Sequence, residues 1–260
     1  MIRNGRSAAT GDAVNLPGLL LIHGGAHAAD CWDLTVDRLA HHAPDLRVLA
    51  VDLPGRGNRP ADLSSVTVAD WVDSVVADVD QAGLKDVVVV GHSMAGLVVP
   101  GVVEKLGHPR VREAVYVAAF VPPQGSTILE SLGGPLVVLA RAGARHGRQV
   151  PMPRPAARLA FWNGMSGAER RFAITRLYSE SINVLTERAD RSAMPDEVPR
   201  TWILTLRDRS LSPRRQRSYI EELGGVDDVI CIDTCHDVMY SEPERLARIL
   251  IERCTRRVRA

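Results

Sequence analysis

Apolar runs of strand length alternate with helix-length segments along most of the chain. The runs show no polar alternation, as expected of strands covered on both faces, and each is followed by turn residues. Between them, apolar residues recur at helical spacing, as at Val68, Val72, Val75 and Val79. This order predicts a doubly wound, mainly parallel sheet of about six strands with helices on both faces. The predicted strands span residues 18–22, 48–51, 87–90, 115–119, 202–206 and 229–232.

A long segment interrupts this alternation between about residues 122 and 199. Several prolines come first, and a helical pattern then runs from about residue 166 to residue 188. Since ligands in open α/β sheets lie at the carboxyl ends of the strands, an insertion leaving from such an end is well placed to form a lid. A length of 260 residues favours one core. We therefore predict a single domain over residues 1–260 with a helical cap insertion at about 122–199; a peripheral helical elaboration is the alternative for that segment.

The composition is that of a folded, nearly neutral protein. Hydrophobic residues make up 45% of the chain and charged residues 24%, close to the average for soluble domains. Lysine and arginine total 32 against 31 acidic residues, so no net charge attracts phosphate backbones, and nucleic acid is not an expected partner. Two short basic runs, at 141–148 and 253–259, are typical of solvated faces or termini. The expected partner is a small-molecule substrate, and the expected state is a monomer or homodimer.

The sequence shows neither a membrane span nor a secretory signal. Residues 1–15 lack the apolar stretch of a signal peptide, and no run reaches about 18 apolar residues. A cytoplasmic location is therefore expected. Four cysteines fit buried thiols in a reducing compartment, and they lack a second ligand pair at zinc-binding spacing, so neither a metal nor another cofactor is predicted. They are Cys31, Cys231, Cys235 and Cys254.

Ser93 is the candidate nucleophile. It lies in the segment Gly91-His92-Ser93-Met94-Ala95-Gly96, directly after a predicted buried strand and before an apolar helical segment. A nucleophile elbow holds its serine in a strained strand-to-helix turn, which needs small residues on either side. The second small position is Ala95, where the usual motif has glycine. The strand before and the helix after favour a nucleophile over a flexible turn.

The segment His23-Gly24-Gly25-Ala26 also follows a predicted buried strand. We refer to these four residues as the oxyanion segment. An early strand in this topology lies beside the nucleophile strand, and glycines after it allow the backbone to turn an amide toward the serine. Together with the amide after the nucleophile, it can hold the oxyanion of a tetrahedral intermediate. We assign these donors to the backbone amides of Gly25 and Met94.

A serine nucleophile needs a base, and the base needs a group that orients it, in the chain order serine, acid, histidine. His236 is the only histidine between the last predicted strand and the last helix. Asp208 closes the preceding strand at its carboxyl end and is the preferred acid. Asp227 and Asp228 precede the final strand and so lie at the wrong edge of the sheet. Asp233 is nearer to His236 but is less able to reach round to the ring.

Aromatic and histidine side chains supply candidates for a substrate pocket. His27 and Trp32 follow the oxyanion segment closely, and the insertion holds a large share of the aromatic residues in a chain that is only 4% aromatic. The aromatic side chains of the insertion could line an acyl or alcohol pocket, or they could equally pack the lid itself. These are Phe161, Trp162, Phe172 and Tyr178.

On these motifs the chain resembles the α/β-hydrolase superfamily over about residues 17–252, and most closely the small plant-type methylesterase and hydroxynitrile lyase group. The resemblance implies an α/β-hydrolase fold that lacks the first strands of larger hydrolases. It is carried by five blocks in order: residues 21–27 with Trp32, residues 50–57, the turn at Ser93, residues 118–122 and residues 236–243.

Two positions separate the chain from the lyases it resembles. Those lyases tend to have an acidic residue before the nucleophile and a lysine after the catalytic histidine, whereas this chain has His92 and Asp237 there. Asp237 also departs from the esterases, in which the position is commonly apolar or neutral. Its side chain could face the site, or it could point to solvent or cap the helix that begins near Glu242.

The sequence therefore favours hydrolysis of a carboxylic ester of a small, mainly apolar molecule through an acyl-serine intermediate, without a cofactor. The same triad could serve elimination, carbon-carbon cleavage or cyclisation, because a base and an oxyanion hole also stabilise an enolate. A small-molecule receptor on a hydrolase scaffold is a third alternative. Fold analogy alone does not separate these readings.

Overall fold

One central sheet organises the molecule, as the apolar pattern predicts. The computed structural model describes residues 2–3, 16–131, 138, 141 and 149–256. In these residues, six parallel strands run in the order β3-β2-β4-β5-β8-β9, and a two-residue strand, β1, pairs antiparallel with β3 at the edge. The strands are β1 (Ile2–Arg3), β2 (Gly18–Ile22), β3 (Val48–Val51), β4 (Val87–His92), β5 (Val111–Val117), β6 (Val150–Pro151), β7 (Ser179–Glu180), β8 (Arg200–Thr205) and β9 (Asp228–Ile232).

Helices cover both faces of this sheet and divide the hydrophobic core in two. Alternate residues of β2 point to opposite faces: Leu20 and Ile22 join one buried cluster, and Leu19 and Leu21 join the other. Both faces of the strand are thus apolar, which explains its unbroken apolar run. The helices are α1 (Asp33–His42), α2 (Val68–Gln81), α3 (Val99–Leu106), α4 (Ile128–Ser131), α5 (Arg154–Ala160), α6 (Gly167–Ile174), α7 (Ile182–Thr186), α8 (Pro213–Glu222), α9 (Val238–Ser241) and α10 (Pro243–Thr255).

The prediction for β5 was wrong at both ends. The strand begins at Val111 rather than residue 115, although Glu113 interrupts the apolar run. That carboxylate is buried because it accepts a hydrogen bond from Thr201 and lies 3.9 Å from Arg253. The strand ends at Val117 because Ala118 takes a positive φ of 43°. A strand that contains a buried charged residue has no continuous apolar run, so a prediction from apolar runs places its start too late.

The predicted helix over residues 166–188 was also wrong, because the chain is broken there into three elements. Ser166 caps α6, which ends at Ile174. Residues 179–180 are extended and pair with β6, and the Ser181 hydroxyl then accepts a hydrogen bond from the Val184 amide to start α7. The cap at Ser181 starts a second helix in a stretch where the apolar spacing alone predicts one continuous helix. The role of residues 122–199 as a cap stays a prediction.

Three of the four cysteines are buried, as predicted, and Cys231 is exposed on β9, against the prediction. Strand β9 lies at the edge of the sheet, so one of its faces is only partly covered. None of the helices in the described part of the chain has the length and hydrophobicity that crossing a bilayer requires. Most of the two basic runs at 141–148 and 253–259 lies outside the described residues.

Candidate active site

Ser93 lies in a strained turn between β4 and a short 3-10 helix, Ser93–Leu97. Its φ is 50°, a left-handed value that is costly for a residue other than glycine. A Cβ on Gly91 would come within 2.4 Å of the Val99 side chain and 3.3 Å of the Ala95 Cβ. Glycine before the serine therefore makes room for the helix that follows, including the methyl group of Ala95.

The structure brings Ser93, His236 and Asp208 into one continuous hydrogen-bonded chain. The His236 Nε2 atom lies 2.8 Å from the Ser93 Oγ, and its Nδ1 atom lies 2.6 Å from the Asp208 Oδ2. All three residues are buried, and Ser93 keeps the largest exposed fraction, 7%. A carboxylate only accepts, so Nδ1 carries the proton and Nε2 is free to take one from the hydroxyl.

Asp208 is held by donors on both of its oxygens. Its Oδ1 accepts from the backbone amides of Ser210 and Leu211 at 2.8 and 2.7 Å. Its Oδ2 accepts from the Thr205 hydroxyl at 2.9 Å as well as from His236. The carboxylate therefore has one orientation in which all of these donors are satisfied.

The competing carboxylates lie elsewhere. Asp233 has a side chain that is 70% exposed and pairs with Arg207 at 3.1 Å. Asp227 accepts from the Arg200 amide, and Asp228 pairs with Arg253. The geometry thus connects only Asp208 to the His236 ring among these four candidates.

The oxyanion segment approaches the residue after the nucleophile. A Cβ on Gly25 would lie 3.4 Å from the Met94 side chain, so the two predicted amide donors belong to adjacent residues in space. Ala26 follows with a positive φ of 59°. Both of its backbone polar groups are bound by the inserted segment: its amide donates to Glu180 Oε2, and its carbonyl accepts from the Tyr178 amide, each at 2.9 Å.

Asp237 is fully buried, so the alternative in which its side chain points to solvent is wrong. Its side chain makes no cap hydrogen bond either, so the alternative in which it caps a helix is also wrong. Its Oδ2 accepts from His27 Nε2 at 3.2 Å and from the Trp162 indole at 2.7 Å. The other nitrogen of His27, Nδ1, lies 2.8 Å from the Gly25 carbonyl. His27 therefore links the loop that carries the base to the oxyanion segment.

Charge and burial oppose each other in this cluster. Burial lowers the pKa of His236, but the charge and hydrogen bond of Asp208 and the charge of Asp237 outweigh it, so the pKa lies above its ordinary value. Burial raises the pKa of Asp237, yet the neighbouring His27 holds it below its ordinary value. Burial, followed by the nearby His236, lowers the pKa of His92 well below normal.

The predicted pocket residues fall into two groups. His27, Trp32, Phe161 and Trp162 are buried, and the Phe161 ring stacks on the His236 ring at 5.2 Å between centroids. The Trp162 indole donates to Asp237, so these two aromatic side chains pack against the base and its neighbour. The other two are half-buried: Phe172 lies under the Arg176 guanidinium, and the Tyr178 hydroxyl donates to Asp30. For all six residues, contact with a substrate stays a prediction.

Three buried residues beside the candidate site were missed by sequence reasoning. His92, interpreted as a turn residue, ends β4, and its Nε2 donates to the His236 carbonyl at 3.1 Å. Glu180 and Arg56 form a buried ion pair beside the oxyanion segment. Arg56 lies within the block at residues 50–57 and could have been noticed there, whereas nothing around Glu180 in the sequence signals its position.

One group in the described residues has the composition of a metal site. The ligand atoms of His27, His92 and Asp237 lie within 4.8 Å of one another. Both ring nitrogens of His27 and the Nε2 of His92 already make hydrogen bonds, whereas His92 Nδ1 and Asp237 Oδ1 are buried without a hydrogen-bond partner among the described residues.

Comparison with known proteins places the chain in a family. Residues 19–249 match the model of the alpha/beta hydrolase family. The chain therefore belongs to the α/β-hydrolase family and is a hydrolase. A carbendazim hydrolyzing esterase of Nocardioides is 36% identical over 117 residues, which cover 44% of this chain and 46% of that relative. A pyrethroid hydrolase of Sphingobium wenxiniae is 26% identical over 247 residues, covering 90% and 86% of the two chains.

Solved structures extend the similarity over the whole fold. An extracellular α/β-hydrolase from a Paenibacillus species has a TM-score of 0.77 at 23% identity, covering 93% of this chain and all of that one. Polyneuridine aldehyde esterase has a TM-score of 0.72 at 19% identity, covering 92% and 99%. At these identities the likeness concerns the fold, and it confirms the predicted α/β-hydrolase architecture and the resemblance to the plant-type methylesterase group.

Proposed function

We propose that the protein is a serine hydrolase that cleaves a carboxylic ester of a small, mainly apolar molecule through an acyl-serine intermediate. The observation that carries this proposal is the hydrogen-bonded chain from Ser93 Oγ through His236 to Asp208, with contacts of 2.8 and 2.6 Å. A serine hydroxyl becomes a useful nucleophile when a correctly oriented base takes its proton. In this arrangement His236 is the base and Asp208 orients it.

In the first step, the Ser93 oxygen attacks the ester carbonyl while its proton passes to His236 Nε2. Asp208 accepts from Nδ1 and stabilises the imidazolium that forms. The carbonyl oxygen becomes an oxyanion, which the Gly25 and Met94 amides would bind. Collapse of the tetrahedral intermediate expels the alcohol, which takes the proton from His236. Water, deprotonated by the same histidine, then attacks the acyl group and releases the acid.

The side chains around the site and the names of related proteins both support an apolar ester as the substrate. The Phe161 ring covers one side of His236, and the Met94 side chain lies beside Gly25, so apolar groups border the reacting atoms. Relatives are named for hydrolysis of carbendazim and of pyrethroids, and one structural neighbour, from Arabidopsis, is named as a methylesterase. An ester of a small organic molecule is the substrate class consistent with these observations. The predicted cytoplasmic location stays a prediction, since one structural neighbour is extracellular.

Lyase chemistry on a cyanohydrin is disfavoured by charge. Cleavage releases an anion, and the lyases that the chain resembles tend to have a lysine after the catalytic histidine, where this chain has the carboxylate of Asp237. The chain has only two lysines: Lys85 is exposed before the start of β4, and Lys105 pairs with Asp73 at the end of α3. Neither lies at the carboxyl ends of the strands, where Ser93 is found.

Labelling combined with a paired activity assay tests the proposal. Treatment with a fluorophosphonate followed by mass spectrometry is expected to give one adduct on Ser93. Hydrolysis of p-nitrophenyl acetate is expected to fall by several orders of magnitude in Ser93→Ala and in His236→Ala, with unchanged circular dichroism. Substantial turnover by Ser93→Ala would contradict the covalent mechanism. A reactive Ser93 without ester turnover would favour elimination or rearrangement by the same triad.

A further inference from the structure

The oxyanion segment is bound by a carboxylate from the inserted segment. Glu180, on β7, accepts from the Ala26 amide through Oε2 at 2.9 Å. Its Oε1 accepts from the Ser181 amide at 2.6 Å and from the Arg56 guanidinium. Every polar contact of this carboxylate is therefore with a donor, and the contacts join three separate parts of the chain.

Burial makes this arrangement costly unless it is fully paired. The Arg56 side chain is 0% exposed and that of Glu180 is 9% exposed. Buried ion pairs add little net stability, because the loss of hydration offsets the attraction, so stability alone does not account for one here. Removing one partner would leave the other charged and buried, which would be strongly unfavourable.

The backbone that Glu180 holds is itself strained. Ala26 has a φ of 59°, a conformation that persists only where neighbouring structure imposes it. Its amide is fixed by Glu180 and its carbonyl by the Tyr178 amide at 2.9 Å. Both constraints come from residues 178–180, so this one short stretch binds both backbone polar groups of Ala26.

We propose that Glu180 is a positioning residue for the oxyanion hole, and that it ties the placement of the inserted segment to the orientation of the Gly25 amide. Ala26 directly follows Gly25, and a Cβ on Gly25 would lie 3.0 Å from Glu180 Oε2, so the carboxylate packs against the segment itself. Arg56 cancels the charge that would otherwise oppose an oxyanion nearby. This inference rests on the proposed esterase function.

The test is Glu180→Gln, which keeps the size of the side chain. In one orientation the amide NH2 faces the Ala26 N–H, and in the other it faces Arg56 and the Ser181 N–H, so a donor opposes a donor in both. The kcat for p-nitrophenyl acetate is expected to fall about tenfold to a hundredfold, less than the roughly 10²–10³ for complete loss of one oxyanion donor because the Gly25 amide is displaced rather than removed, while KM changes less than threefold. Affinity for a trifluoromethyl ketone, which forms an oxyanion adduct on serine, is expected to fall in parallel with kcat.

Glu187→Gln is the matched control. Glu187 accepts from a single donor, the Val68 amide at 2.9 Å, which an amide oxygen can replace, and it lies in the same inserted segment. Its kcat and inhibitor affinity are expected to stay within twofold of wild type. Equal kcat for the two glutamine variants would overturn the inference, as would a loss confined to KM or thermal stability.

A second substitution covers the case in which Glu180→Gln fails to fold. Gly25→Ala places a methyl group 3.0 Å from the fixed carboxylate, and the same selective loss of kcat and of ketone affinity is expected. Unchanged kinetics in this variant would overturn the proposal. Ser93→Ala is assayed alongside: if it retains activity, the proposed function has failed, whereas an inactive Ser93→Ala with fully active Glu180→Gln and Gly25→Ala variants refutes only the inference.

Discussion

Replacing Asp208 by asparagine gives a sharp test of the triad, because the structure determines which way the amide must point. Oδ1 accepts from two backbone amides, those of Ser210 and Leu211. An asparagine NH2 at that position would oppose both, so the amide nitrogen must take the place of Oδ2. There the amide nitrogen donates to His236 Nδ1, which can accept only if it carries no proton. The proton of the neutral ring then lies on Nε2. That tautomer cannot accept the proton of Ser93.

The expected effect is large even though the geometry is retained. In another triad, an equivalent change lowers kcat by about 10⁴ through the wrong tautomer. Since each factor of ten corresponds to about 1.36 kcal/mol, this is a loss of about 5 kcal/mol of transition-state stabilisation. The backbone donors and the ring keep a partner, and the Thr205 hydroxyl, which donated to Oδ2, can turn to accept from the amide nitrogen, so the melting temperature should change little.

The assay is steady-state hydrolysis of p-nitrophenyl acetate by wild type, Asp208→Asn and Asp233→Asn. Asp233 is the matched control because it undergoes the same substitution one loop away, where its exposed side chain pairs only with Arg207. Its kcat is expected to stay within twofold of wild type. A kcat above one-tenth of wild type in Asp208→Asn would refute the tautomer argument, and a larger loss in Asp233→Asn would transfer the acid role to that residue.

Three further predictions follow from the same cluster. The pKa of His236 is raised and its neutral form is the active one, so kcat/KM should decline on the acid side with a midpoint above the ordinary pKa of histidine; a midpoint at or below that pKa, or no decline on the acid side, would contradict this. Asp237→Leu removes the one oxygen that accepts from both His27 and Trp162, and it should destabilise the fold by at least about 1–3 kcal/mol and lower the melting temperature by several degrees; an unchanged melting temperature would show that these buried hydrogen bonds are dispensable. Mandelonitrile should release no cyanide above background, and robust release dependent on Ser93 would overturn the esterase proposal.

The sheet and three of the site residues could be predicted because they depend on local signals. A buried parallel strand leaves an unbroken apolar run, and Ser93, Asp208 and His236 each follow such a run directly. Parallel strands place their carboxyl ends at one edge, so position along the chain is enough to bring these three side chains together.

The surroundings of the triad could not be predicted in the same way, because they depend on contacts between distant segments. Asp237 binds His27 across 210 residues and Trp162 across 75. No periodicity or spacing encodes such pairs, and an aspartate beside a histidine in sequence is compatible with a solvent-facing or a buried side chain. Similarly, the burial of Phe161 and Trp162 follows from how the insertion packs on the loops after β2 and β9, which their own sequence pattern does not report.

The attachment of Glu180 to the oxyanion segment limits how this protein can diversify. An insertion between two strands is ordinarily free to vary in length and sequence, so that new substrates are reached without altering the residues that perform the chemistry. Here that freedom is restricted at one point, because any replacement segment must present an acceptor to the Ala26 amide and a negative charge to Arg56. Grafting the insertion of another hydrolase onto this core would therefore succeed only if the graft brings its own carboxylate to that point.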